Sequence, residues 1–399
     1  MNQNEDDFKP VLAHSDLAIR MAAVSEQIED LNGELTKAGE SFSVQLMKTI
    51  RKQTEQIQEL KMQQEKEMNR LKAEISELKA YQLQIEKDYR QSQLKHHSPS
   101  KNSSKQKQRL ESISVQRKLN SQNNSIGSIA VLKDETIVAG SIGEIKIWNS
   151  FDGYLLKTIE CHSGYCISCL VVMEDGRLVS GSYDDTIIIW NSVNTDQLFN
   201  RTLRGHTGAV YCLVGLNENR LASGSNDTTI IIWDVNTGYA LNKLIGHMNR
   251  VSCLAKLNDD QLASGSRDNT IKIWNLNSGQ EIRTLMGHAQ DVRCMLALPD
   301  YRLATGSHDD TIRIWNIHTG ECILELEGHN GYVLSLILFR DEFTLASSSA
   351  DATIRIWDLL TGRLLKLLRE HDGPITSLAL LNDGRMISGS EDRSVIIWK

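Results

Sequence analysis

Thr305–Trp315 reads TGSHDDTIRIW, and its pattern returns along the chain as GSNDTTIIIW (224–233), GSRDNTIKIW (265–274) and SADATIRIW (349–357). Taken alone, the segment crowds Thr, Ser, His, two Asp and Arg into eleven residues, with His288 seventeen residues upstream of Thr305. Such a set could serve a hydrolase or a metal. Its recurrence changes the reading. The seven tryptophans, Trp148, Trp190, Trp233, Trp274, Trp315, Trp357 and Trp398, are separated by 42, 43, 41, 41, 42 and 41 residues. A fixed period of this length marks a repeat architecture. Each unit runs Gly-His, an apolar stretch, Leu-Ala-Ser-Gly-Ser-x-Asp, then Thr-Ile-x-Ile-Trp. β-Branched residues between Gly, Asn and Asp turns predict short antiparallel strands.

The period near 42, the Gly-His pairs and the Trp-Asp or Trp-Asn after a β run together resemble the WD40-repeat family over roughly residues 112–399. The resemblance implies an all-β seven-bladed β-propeller, one blade for each tryptophan. The last blade has only three strands before Lys399, so residues 112–120 (SISVQRKLN) are expected to supply its outer strand and close the ring. Closure would also remove the exposed edges that invite aggregation.

The polar residues of the opening segment recur in six of the seven units, whereas a catalyst needs one site. The resemblance implies that they form a structural hydrogen-bond network in each blade. Its members include His206, Ser223, Asp227 and Trp233; His247, Ser264, Asp268 and Trp274; and His288, Thr305, Asp309 and Trp315. A buried Asp needs donors, and His and Ser supply them. Blade one breaks the pattern: SIGEIKIW (141–148) has no Asp, and Ser121 stands where His is expected. It is expected to be the least braced blade. Cys166 and Cys169 have CxxC spacing, but Cys169 aligns with Cys212, Cys253 and Cys294, and with Ser335 and Ser377. That column reads as small core residues rather than a metal or redox pair. No phosphate loop, HExxH or nucleophile elbow is present, so no catalytic residue, metal site or cofactor is expected.

Ahead of the repeats, residues 1–42 read as a short helical segment with breaks at Gly33 and Gly39. Residues 43–95 read as a coiled coil. Its seam runs through Ile50, Ile57, Leu71, Leu78 and Ile85, with Met47, Met68, Ile75 and Tyr89 in the companion column and Thr54, Lys61, Gln64 and Gln82 interrupting. An apolar seam needs a partner, which implies homo-oligomerisation. Residues 96–111 read as a basic flexible linker, with an import signal as an alternative. The net charge of −7 is divided: 20 Lys and Arg against 18 Asp and Glu in residues 1–120, and 24 against 33 in the rest. The acidic repeats are poorly suited to nucleic acid. An odd number of cysteines, seven, with no secretory h-region and no apolar run long enough to span a bilayer, suggests an intracellular protein, cytoplasmic rather than nuclear.

Partners of the family dock on the face carrying the Gly-His loops and the turns before each Asp, so positions that vary there carry the recognition. These are Tyr165, Tyr183, Tyr211, Arg250, Arg267, Asp291, Arg293, His308, Tyr332 and Glu391. Arg250, Arg267 and Arg293 fall in adjacent blades and predict an acidic or phosphorylated peptide, with tyrosines as anchors. The reading is a non-catalytic scaffold or adaptor that oligomerises through its coiled coil and binds proteins on the propeller face. The alternative is the substrate-recognition subunit of a ubiquitin ligase.

Overall fold

The second and third strands of each repeat carry its most apolar sequence, because both of their faces are covered. Leu221–Ser225 and Ile230–Trp233 are buried throughout. Each sheet is packed between two others, so its strands read as continuous rather than alternating apolar runs. The fourth strand, such as Ala240–Leu244, buries only its end and is otherwise mixed in character.

The computed structural model describes residues 9–35, 47–70, 72, 112–120, 124–190, 200–217 and 219–399. The chain divides into two compact units, one within the first hundred residues and one in the remainder. The larger unit contains seven four-stranded antiparallel sheets. The first six are consecutive meanders over residues 128–160, 167–203, 210–244, 251–285, 292–326 and 333–368. In the seventh, Val115–Asn120 pairs with Ser394–Trp398, with Val115 opposite Trp398 and Asn120 opposite Ser394. The innermost strands touch in sequence around a ring, and Ile375–Leu380 of blade seven meets Ser128–Val131 of blade one. Thr376 Oγ1 donates to Ile126 O at 2.7 Å and Ile126 N to Ser390 O at 3.1 Å across that junction. The ring is thus a closed, seven-bladed propeller.

The core lies between blades. Cys169, Val179, Ile187 and Ile189 of blade two pack with Val210, Leu221, Ile231 and Trp233 of blade three, and the arrangement repeats around the ring. Close approach demands small residues in two columns. A Cβ on Gly224 would lie 2.6 Å from both Cys212 Sγ and Val251 Cγ1. Burial pushes the Cys169 and Cys294 thiols up to about 12, so they pack as small apolar groups. Cys166 and Cys169 are both free thiols.

In the smaller unit, α1 (Lys9–Leu35) and a second helix over 47–70 are joined by Gln53 Nε2 donating to Gln27 Oε1 at 3.2 Å. Helix α1 continues through Gly33, so the expected break there is not present. Gly39 lies outside the described residues, as do the expected linker 96–111 and the seam positions Leu71, Ile75, Leu78, Gln82, Ile85 and Tyr89. In the second helix, Ile50, Gln53, Ile57, Leu60 and Gln64 are the sheltered stripe. Met47, Thr54, Lys61 and Met68 of the expected companion column are exposed in the single chain. Among the described residues, no helix is long and apolar enough to cross a membrane.

Deleting residues 112–120 should expose the edge of Ser394–Trp398 and lower the melting temperature while increasing aggregation; an unchanged melting curve would contradict closure by this strand. Gly224→Ala should destabilise the propeller by about 1–3 kcal/mol in chemical denaturation, through overpacking against Cys212 and Val251.

Candidate functional site

The histidines of blades two to seven are each committed to a hydrogen-bonded relay. In blade four, Trp274 Nε1 donates to Ser264 Oγ at 2.7 Å, and Ser264 Oγ contacts His247 Nε2 at 2.7 Å. His247 Nδ1 lies 2.8 Å from Asp268 Oδ2. Because that oxygen only accepts, Nδ1 carries the proton, and in the neutral ring Nε2 accepts from the serine hydroxyl. Asp268 Oδ1 takes Thr270 N and Oγ1, and Oδ2 also takes Met248 N at 2.9 Å. The chain therefore runs from Trp through Ser and His to Asp, with every group partnered. Blade three repeats it with Trp233, Ser223, His206 and Asp227, and blade five with Trp315, Thr305, His288 and Asp309. Ser223, Ser264 and Thr305 have no exposed surface, so no substrate can reach their hydroxyls.

Blade one has a different solution. Val138, ten residues before Trp148, stands where the other blades have Ser or Thr, and the tryptophan packs among Ile137, Ile397 and Leu381. Its turn lacks the braced Asp. Instead Gly143 adopts the left-handed conformation (φ 71), which Thr228 (φ 70) and Asn269 (φ 69) adopt in blades three and four with Asp support. Gly143 N also donates to Tyr165 O at 2.8 Å, and a Cβ there would meet Gly164 Cα at 2.7 Å. Ser121 lies outside the described residues.

Eight of the ten variable residues converge on one face, across blades two to six. Tyr183 and Tyr211 have ring centroids 5.2 Å apart at 46°. Arg250 lies over Tyr211, with Cζ 4.7 Å from the ring centroid, and Nη2 donates to Asp291 Oδ2 at 2.6 Å. His308 stacks on Tyr332 at 4.0 Å and 15°. Arg267 is exposed and Arg293 half-buried, and neither guanidinium has a hydrogen-bond or ion-pair partner among the described residues. Their fields, with that of Arg250, all act on His308, and the field of Arg293 also reaches Tyr183. Burial and the neighbouring Tyr211 push the Tyr183 hydroxyl up to about 12, so it remains a neutral donor.

Two further expected contact residues lie on blades two and seven. Tyr165 is exposed and held through its main chain to His162 and Gly143. Glu391 is exposed in blade seven, with its field directed at Cys166. Asp291 is in the basin but is only 4 % exposed, so it is not a contact residue: it holds Arg250 and accepts from Ser252 Oγ at 2.7 Å. Ser252 carries no signal of its own in the repeat pattern. Its role follows from Asp291 of the next blade lying within reach. With Asp291 neutralising Arg250, the basin retains the charges of Arg267 and Arg293, which suits an anion. Among the described residues no cluster of His, Cys, Asp or Glu could hold a metal ion.

Ser264→Ala should cost about 1–3 kcal/mol in denaturant unfolding, because it strands Trp274 Nε1 and His247 Nε2 in the core. Acid sensitivity follows from the aspartates. Burial raises Asp227, Asp268, Asp309 and Asp351, but hydrogen bonds from their His and Thr partners more than offset it and leave them well below the usual range. Asp392, held the same way by Ser394 and His371, lies at about 2. Depressed carboxylates stabilise the fold above the unfolded value of about 3.9, and that stability is lost as pH falls through the folded values. Burial also lowers His162 and His371, so a first loss begins below about pH 6.5. A melting temperature that falls in these two stages should be seen by circular dichroism, and Asp268→Asn should remove part of the lower one.

Comparison with known proteins agrees with this geometry. The family model "WD domain, G-beta repeat" matches residues 153–191, 198–234, 238–275, 279–316, 320–358 and 362–399. The three inner strands of blade one, which lack the His and Asp braces, are not among the matched residues. Rat apoptotic protease-activating factor 1 is 32% identical over 93 residues, covering 23% of this chain and 7% of that protein. F-box/WD repeat-containing protein 7 of Drosophila melanogaster is 41% identical over 64 residues, covering 16% of this chain and 5% of that protein. The chain thus spans a small fraction of the length of the relatives it matches. Six matched repeats covering more than half of the sequence, folded into braced blades of a closed ring, place this chain in the WD40-repeat family.

Proposed function

We propose that this protein is a non-catalytic adaptor that captures acidic or phosphorylated segments of protein partners in the basin between blades two and six. The observation that carries this reading is the pair Arg267 and Arg293, two guanidiniums without a partner among the described residues, set beside exposed tyrosines. Guanidinium forks match phosphate and carboxylate oxygens, and partly exposed aromatic rings offer apolar area at low entropic cost. The WD40 fold fits a protein-interaction scaffold.

The helical region would link copies through Ile50, Ile57 and Leu60, so that several propellers engage one assembly with an avidity beyond that of a single site. A second reading is recruitment of substrates to a ubiquitin ligase. It is favoured by the likeness to a protein whose name pairs an F-box with WD repeats, and by the phosphate-suited basin.

The double charge reversal Arg267→Glu/Arg293→Glu should abolish co-purification of partners from cells while leaving the melting temperature unchanged; retention of every partner would overturn the reading. Co-purification of cullin or RING components would select the ligase role. By light scattering the intact chain should have a multiple of its single-chain mass, falling to the single mass in Ile50→Asp/Ile57→Asp.

A further inference from the structure

The basin contains one group whose charge can change near neutral pH. His308 occupies the variable position before the bracing Asp309 in the turn of blade five. Its ring lies flat on Tyr332, and Nδ1 stands 4.0 Å from Asp291 Oδ2, too far for a hydrogen bond. Both oxygens of Asp291 are already engaged, one by Arg250 at 2.6 Å and the other by Ser252 at 2.7 Å. On its own turn, Asp309 is committed to His288 and Thr311, and Asp310 lies in the fields of Asp309, Asp351 and His329. The charges acting on His308 are therefore Asp291 of its own blade, Arg250 and Arg267 of blade four, and Arg293. Three guanidiniums oppose one carboxylate.

We propose that His308 takes up a proton from solvent when a phosphate-like dianion enters beside Arg267 and Arg293, so that capture at this site is tighter in mildly acidic conditions. This rests on the anion-capturing role of the basin. Without a ligand, burial holds His308 below its usual value, opposed by Asp291 and reinforced by Arg293, Arg250 and Arg267. The ring is then neutral at pH 7. A bound dianion offsets the arginines and adds an acceptor, and both effects favour the imidazolium. By linkage, a ligand that raises the histidine's pKa binds the protonated protein more tightly, so affinity rises as pH falls and levels off below the free value. A dianion attracts the proton more strongly than a single carboxylate does, so His308 also favours a phosphomonoester over Asp or Glu in the partner.

Sulfate is a suitable probe, because its charge is constant over this pH range. In the full chain carrying 13Cε1-labelled histidine, the resonance missing from His308→Gln reports His308. Sulfate, compared with chloride at matched ionic strength, should raise its titration midpoint by about one unit. Calorimetric affinity for sulfate should then rise about tenfold as pH falls through this range. His308→Gln should bind at the weaker level at every pH, and His308→Lys at the tighter level at every pH. Sulfate that binds in an Arg267- and Arg293-dependent way without moving the midpoint would overturn the proton uptake and leave the anion site standing. Binding no stronger than that of Arg267→Glu/Arg293→Glu would overturn both.

Discussion

The tryptophan N–H that ends on a buried hydroxyl, itself tied to a histidine and an aspartate, is the contact on which the propeller depends. It repeats in blades two to seven with closely similar distances, as in Trp190 to Ser180 at 3.0 Å and Trp398 to Ser388 at 2.8 Å. The relay joins three parts of a blade that would otherwise be independent: the entering loop through His, the hairpin turn through Asp, and the third strand through Trp. The Trp, Ser or Thr and His members are buried and the Asp half-buried, so each would carry a desolvation penalty if left alone. Such a network is stable only when complete, so residues with a catalytic look are held in place as braces.

Blade one shows what happens without it. The tryptophan rests on aliphatic neighbours from its own blade and blade seven, and the turn relies on a glycine in place of a braced aspartate. That blade lies at the seam where the ring closes. Val115–Asn120 is bonded to the last strand, and Ile126 is bonded to blade seven on both sides of its peptide. The blade without a relay therefore coincides with the site of closure, where contacts distant in sequence substitute for local bracing.

Because the bracing positions are committed, the residues between them are the ones that vary from blade to blade. Tyr183, Arg267 and His308 each precede a relay aspartate, so the network holds their backbone rigidly while their side chains remain free to vary. Asp291 illustrates the boundary between the two roles. It varies from blade to blade, but in blade five it is buried as the counter-charge of Arg250. Its presence sets the surplus charge of the basin, which is carried by Arg267 and Arg293.

The period of the tryptophans, the recurring Gly-His and Asp positions and the β-branched runs were enough to read the propeller and its number of blades, because each repeat encodes its own turns and its own brace. The same local coding made the variable positions legible as a set. What the sequence could not order was the contact among them. Tyr211 and Arg250 are 39 residues apart, as are Ser252 and Asp291, and each pair meets only because adjacent blades place their inner strands side by side. Only the tertiary structure could therefore bury Asp291 against Arg250 and Ser252.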